Sequence, residues 1–165
     1  VPVEDVQIKR IPKVRVAELS ATAESFQPES IGPVIQPLYD QLAGRLREAG
    51  LAPSGPGIAY YEDCTDGDGA VVVHASVPVT AEPRDGHGFA IVDLPGIEQA
   101  ATIVHRGPMD NVMSSIQTLA RWIDRFGHRS AGHNRELYLD YGCGADPADW
   151  VTELQEPLVI GEGPA

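Results

Sequence analysis

The chain has 165 residues, of which 42% are hydrophobic and 22% charged; 12 basic side chains stand against 24 acidic ones, a net charge of −12. That suffices for one substantial domain or two small fused modules of ordinary soluble composition. The acidity disfavours non-specific attachment to nucleic acid or an anionic membrane, both of which need a basic footprint, and no apolar run approaches the roughly 20 residues that cross a bilayer.

The opening "VPVEDVQIKR" is not a signal peptide, so a cytoplasmic location is expected. It also lacks Met, as a trimmed protein or a domain cut from a longer one would. Cys64 and Cys143 are far apart without metal-ligand spacing and are expected to be a reduced pair.

In chain order, "QIKRIPKVRVAEL" (Gln7 to Leu19) reads as a strand containing a proline. Ile31, Ile35, Leu38, Leu42, Leu46 and Ala49 then recur at helical spacing, and Gly50 ends the helix. Pro33 and Pro37 imply a ragged start or a kink. "GIAYYED" and "AVVVHASVPV" follow as strands, and "TAEPRDGHG" (Thr80 to Gly88) as a polar linker. The plan then repeats. "GFAIVDLPGIEQAATIVHRG" is strand-like, with Leu94-Pro95 matching Ile11-Pro12. Val112, Ile116, Leu119, Ile123 and Phe126 form a helical stripe, with Asp110 as the expected N-cap and Gly127 as the terminator. "RELYLDYG" and "WVTELQEPLVI" close the second half. Gly50 and Gly127 lie 77 residues apart, as do Tyr61 and Tyr138; Cys64 and Cys143 lie 79 apart, as do Pro78 and Pro157.

The expected fold is therefore α+β: duplicated β-α-β-β modules with pseudo-twofold symmetry, their antiparallel sheets arranged around a central cleft. Repeat one covers about residues 6–79 and repeat two about 89–160 of a single domain.

Two carboxylates in apolar strands stand out, Glu136 in "NRELYLDYG" and Glu153 in "WVTELQEPL", because an unpaired buried carboxylate costs several kcal/mol. If Leu137 and Leu139 face the helices, then Glu136, Tyr138 and Asp140 face away. The two offsets match Tyr61 with Tyr138 and His74 with Glu153. One cleft-lining surface would then collect Tyr61, His74, Glu136, Tyr138 and Glu153, an aromatic wall with acid suited to an organic cation. Trp122 would reach the pocket edge or pack in the core, and Tyr60 would face the helices. The alternative is a solvated sheet face on which Glu136 is merely exposed.

Other motifs carry less. "DCTDGDG" (Asp63 to Gly69) has the wrong acid spacing for a calcium loop and reads as a hairpin turn. His128 and His133 have no third metal ligand, and His105 reads as structural or exposed. No metal or cofactor is expected. No DNA-reading helix-turn-helix is evident.

The order of "VQIKRIPKVRVAEL", "WIDRFGHR", "RELYLDY" and "TELQEPL" resembles the GyrI-like family, the bacterial transcription-activator effector-binding domains, from about Val6 to Val159. The resemblance implies a two-module α+β fold with a hydrophobic pocket for small aromatic, often cationic, drug-like molecules, as in multidrug recognition. It places the glutamate of the E-x-Y strand, here Glu136 with Tyr138, at the pocket floor, and the acid of the last strand, Glu153, nearby. Such domains often form the C-terminal half of MerR- or AraC-type regulators, so a DNA-binding domain belongs elsewhere in the full-length protein. It also allows hydrolysis of electrophilic small molecules by Glu136, Glu153 and Tyr138. A third reading is a module docking its acidic surface on a basic protein.

Overall fold

A computed structural model describes residues 6–64, 69–82, 88–140 and 146–160. In chain order the elements are β1 (Gln7–Ile11), β2 (Val14–Ala23), α1 (Pro28–Glu48), β3 (Ile58–Asp63), β4 (Val71–Pro78), β5 (Ala90–Leu94), β6 (Ile97–Arg106), α2 (Val112–Arg125), β7 (Arg135–Asp140) and β8 (Val151–Pro157). Two compact units divide the chain: Lys13–Pro95, and Val1–Pro12 with Gly96–Ala165.

The fold is α+β, and each unit holds four antiparallel strands and one long helix. In the first unit the strands lie in the order β3-β4-β2-β5. In the second the order is β7-β8-β6-β1, the same plan position by position. The duplication expected from the spacing is thus present, with one change. Gln7–Leu19 is two strands rather than one, broken at Pro12-Lys13, and Gly88–Gly107 is broken likewise at Pro95-Gly96. Proline has no N–H to give to a ladder, so the pairing stops there. Past each proline the chain enters the other unit, and β1 pairs with β6 while β5 pairs with β2.

Each helix buries its apolar stripe on its own sheet. In the first unit Leu42 and Leu46 of α1 pack with Ala17, Val79, Phe89 and Ile91. In the second, Leu119 and Ile123 of α2 pack with Ala101, Leu154 and Leu158. Pro33 and Pro37 both lie inside α1, which starts at Pro28. Each removes an intrahelical hydrogen bond, a loss offset by burial of Ile31, Ile35 and Leu38.

Both helices end alike. Leu51 N–H donates to Leu46 O and His128 N–H to Ile123 O, each at 2.9 Å. The intervening Gly50 and Gly127 have φ of 72° and 76°. This six-to-one closure with a left-handed glycine satisfies carbonyls that would otherwise be orphaned. The start of α2 differs from expectation. Asp110 lies in a 3-10 turn (Met109–Asn111), and Asn111 occupies the N-cap without a side-chain hydrogen bond. Phe126, expected in the buried stripe, is the C-cap of α2 and is exposed. Residues 65–68 of the "DCTDGDG" turn, 83–87 of the linker, and Cys143 lie outside the described residues.

Candidate functional site

Residues directly opposite in an antiparallel pair share a face, so the register shows which side chains meet. In the first unit, Ala17 lies opposite both Val77 and Ile91, and these pack towards α1. Following the alternation, Val73 points the same way, and Tyr61 lies opposite Val73. Tyr61 is therefore on the helix side, buried, with the Phe26 ring edge-on at 5.0 Å. His74 belongs to the reverse face, opposite both Ser20 and Tyr60. Tyr60 was expected to face the helices, but it too lies on the reverse face, its ring stacked on His74 at 4.2 Å. Its hydroxyl donates to Glu18 Oε2.

In the second unit, Leu154 packs with Leu119 and Ile123 of α2. Glu136 lies opposite Leu154, and Tyr138 opposite Thr152. Both are therefore on the helix side, contrary to the expectation that Leu137 and Leu139 would occupy it. Leu137 instead lies opposite Glu153 on the reverse face, and Leu139 is exposed. Glu136 is only 6% exposed. Its Oε1 accepts a hydrogen bond of 2.8 Å from the Tyr138 hydroxyl. A phenol donating to a buried carboxylate offsets part of its desolvation and keeps it acceptor-rich.

Glu153 does not share that face. It is buried on the reverse side, its Oε2 bonded to Lys9 Nζ at 2.7 Å and its Oε1 to Gln155 Nε2 at 2.9 Å. Its lone pairs are engaged within the sheet, which is how β8 tolerates the charge. The five side chains expected on one surface are thus divided: Tyr61, Glu136 and Tyr138 on the helix sides of their sheets, His74 and Glu153 on the reverse faces. Trp122 borders the core under α2, 4.8 Å from the Phe126 ring and stacked with His128 at 5.8 Å.

His105 is structural. Buried between β6 and the turn before α2, it joins Ser115 Oγ (2.7 Å, through Nδ1) and Pro108 O (3.0 Å, through Nε2). Because a carbonyl only accepts, Nε2 is assigned the hydrogen. Among the described residues no cluster of three His, Cys, Asp or Glu could hold a metal, and no helix is long and apolar enough to cross a membrane. Sequence reasoning missed Lys9, Glu18 and Phe26. A lysine three residues before Pro12 signals nothing until β1 is known to pair with β6.

A duplicated antiparallel α+β domain with a buried carboxylate–phenol pair on the helix side of one sheet, and a buried tyrosine at the matching position of the other, has the build of a small-molecule-binding domain. The chain belongs to the GyrI-like family: the model of the GyrI-like small molecule binding domain matches residues 4–159. Among solved structures it is similar to the C-terminal domain of EcmrR, with a TM-score of 0.73 and 23% identity over 94% of this chain and 97% of that one. It is similar also to EcmrR in its complex with DNA (TM-score 0.74, 23% identity, 93% of this chain), where it spans 57% of that chain. SAV2435 bound to tetraphenylphosphonium shares the fold at a TM-score of 0.66 and 13% identity over 94% of each chain. No curated protein matches the chain.

Proposed function

We propose that this domain binds small aromatic molecules, cationic ones in preference, and that it serves as the effector-sensing part of a transcription regulator. The observation that carries the reading is Glu136, a buried carboxylate held by Tyr138 on the helix side of its sheet, opposite the core residue Leu154. A carboxylate so placed attracts a cation strongly because little water screens it, while an aromatic ring beside it supports the rest of the ligand. Within the first unit, Tyr61 with Phe26 edge-on against it offers an aromatic contact on the helix side of its own sheet. His74 and Glu153 lie on the reverse faces of their sheets and Trp122 packs with Phe126 and His128, so none of the three is among the proposed contacts. The complex of SAV2435 with a lipophilic cation supports the ligand class. The regulator reading rests on EcmrR, whose C-terminal domain this chain resembles and whose full chain binds DNA.

The test is calorimetric titration with tetraphenylphosphonium and with an uncharged triaryl analogue. Glu136→Gln keeps shape and hydrogen bonding but removes the charge. It should weaken the cation by about tenfold, about 1.4 kcal/mol, and leave the neutral analogue within about twofold. Equal weakening of both would rule out recognition by charge.

A further inference from the structure

The reverse face of the first unit holds a polar cluster that the ligand reading does not use. His74 of β4 is flanked on both ring nitrogens by carboxylates: Nδ1 is 3.5 Å from Glu18 Oε2 of β2, and Nε2 is 3.6 Å from Glu62 Oε1 of β3. Tyr60 of β3 covers the ring face, within 2° of parallel, and donates to the same Glu18 oxygen. Both nitrogens are sealed from solvent and lack a hydrogen-bond partner. Glu18 is also largely enclosed, whereas the Glu62 side chain is 64% exposed.

A neutral imidazole has one hydrogen and one lone pair, so one nitrogen must turn its lone pair towards a carboxylate. Only the ring with hydrogens on both nitrogens attracts both acids. The groups facing it are Glu18 from β2 and Tyr60 and Glu62 from β3; Ser20, opposite it on β2, is uncharged. With its proton the ring draws three adjacent strands together. Without it, two carboxylates remain beside an uncompensated lone pair. Tyr60 and Glu62 flank Tyr61 in β3, whose side chain projects to the opposite face. Any shift of β3 against β4 therefore moves the Tyr61 ring.

We propose that His74 is a positioning residue: a proton-dependent clamp across β2, β3 and β4 that sets the placement of Tyr61 and so tunes ligand affinity with pH. The affinity clause rests on Tyr61 being a ligand contact; the clamp does not.

Two ligand-free measurements test the clamp. The first is urea unfolding between about pH 5.5 and about pH 8, the range in which histidine changes charge. Relative to His74→Gln, the folding constant of the wild type should fall by about tenfold more across that range. Glu62→Gln, an exposed change that spares the fold, should remove about half of the effect on a logarithmic scale. The second is the Tyr61 ring resonance, identified by its loss in Tyr61→Phe. It should shift with pH in the wild type and stay fixed in His74→Gln. Parallel pH slopes for wild type and both variants, or a Tyr61 resonance indifferent to pH, would overturn the clamp.

Tetraphenylphosphonium, whose charge does not titrate, is then bound at both pH values. Affinity that weakens severalfold at the higher pH only when His74 is present supports the full proposal. Binding that ignores pH while Tyr61 shifts overturns the affinity clause. Failure to bind at either pH counts against the ligand reading, leaving the clamp to be judged by the first two measurements.

Discussion

Glu136 and Glu153 show two ways for a strand to carry a buried acid. Glu136 receives a phenol from two residues along its own strand. Glu153 receives an ammonium from β1 and an amide from Gln155. Lys9 keeps 42% of its side chain exposed while the glutamate keeps 9%, so the lysine reaches in from the surface and loses little hydration. The glutamate depends on it. Lys9→Met should therefore destabilise the fold by about 1–3 kcal/mol, because an ionised oxygen is left buried and unmet. Adding Glu153→Gln should recover most of that loss, since a neutral amide costs less to bury. Urea unfolding of the wild type, the single variants and the double variant measures the coupling, and strictly additive losses would deny it.

At the scale of elements, the paired glycines give a clean measurement. Gly50 and Gly127 both take positive φ at the end of a helix, and an added Cβ would meet nothing within 4 Å at either position. Gly50→Ala and Gly127→Ala should each cost about 1 kcal/mol from the left-handed backbone alone, read as similar drops in melting temperature. Unequal drops would mean that one terminus relies on more than its glycine.

These stops were legible in the sequence because glycine's role there is local. So were the helices, the final two strands of each half and the repeat that relates them. The exchange of β1 and β5 was not, because a proline inside an apolar run marks an interruption without saying where the chain pairs next. The faces were hidden for a related reason. Alternation states that Leu137 and Leu139 are not on the side of Glu136 and Tyr138, but not which side the helix covers. That depends on Glu136 standing opposite Leu154, a cross-strand register set by the whole sheet. Apolar composition pointed to the wrong face, and His74 and Glu153 were consequently grouped with side chains that lie on the other side of their sheets.

For the molecule as a whole, falling and rising pH act through different carboxylates. Asp93 is held below the usual carboxylate range, chiefly by the hydrogen bond from Arg15 and then by the charges of Arg15 and Lys13. Its contribution is present above its ordinary value of 3.8 and is lost as the pH falls through its lowered value. Glu156 is shifted the other way. Burial raises its pKa above the ordinary 4.5, and neither the hydrogen bond with Ser130 nor the charge of His133 reverses this. Below that ordinary value both folded and unfolded chains hold the proton. As the pH rises past it, the unfolded chain ionises first and stability falls, until the folded group ionises as well.

Glu156→Gln should therefore be more stable than the wild type at about pH 7, and the difference should vanish in acid below the ordinary carboxylate value. Because the chain carries a net charge of −12, deleting any acid relieves some self-repulsion, so the comparison needs a control. Glu98→Gln, at an exposed position of β6, removes the same formal charge without the burial. Unfolding free energies of the three proteins across the acid range separate the contributions. If Glu98→Gln matches Glu156→Gln at every pH, the gain belongs to net charge; a gain confined to Glu156→Gln that grows through the carboxylate range belongs to desolvation at that residue.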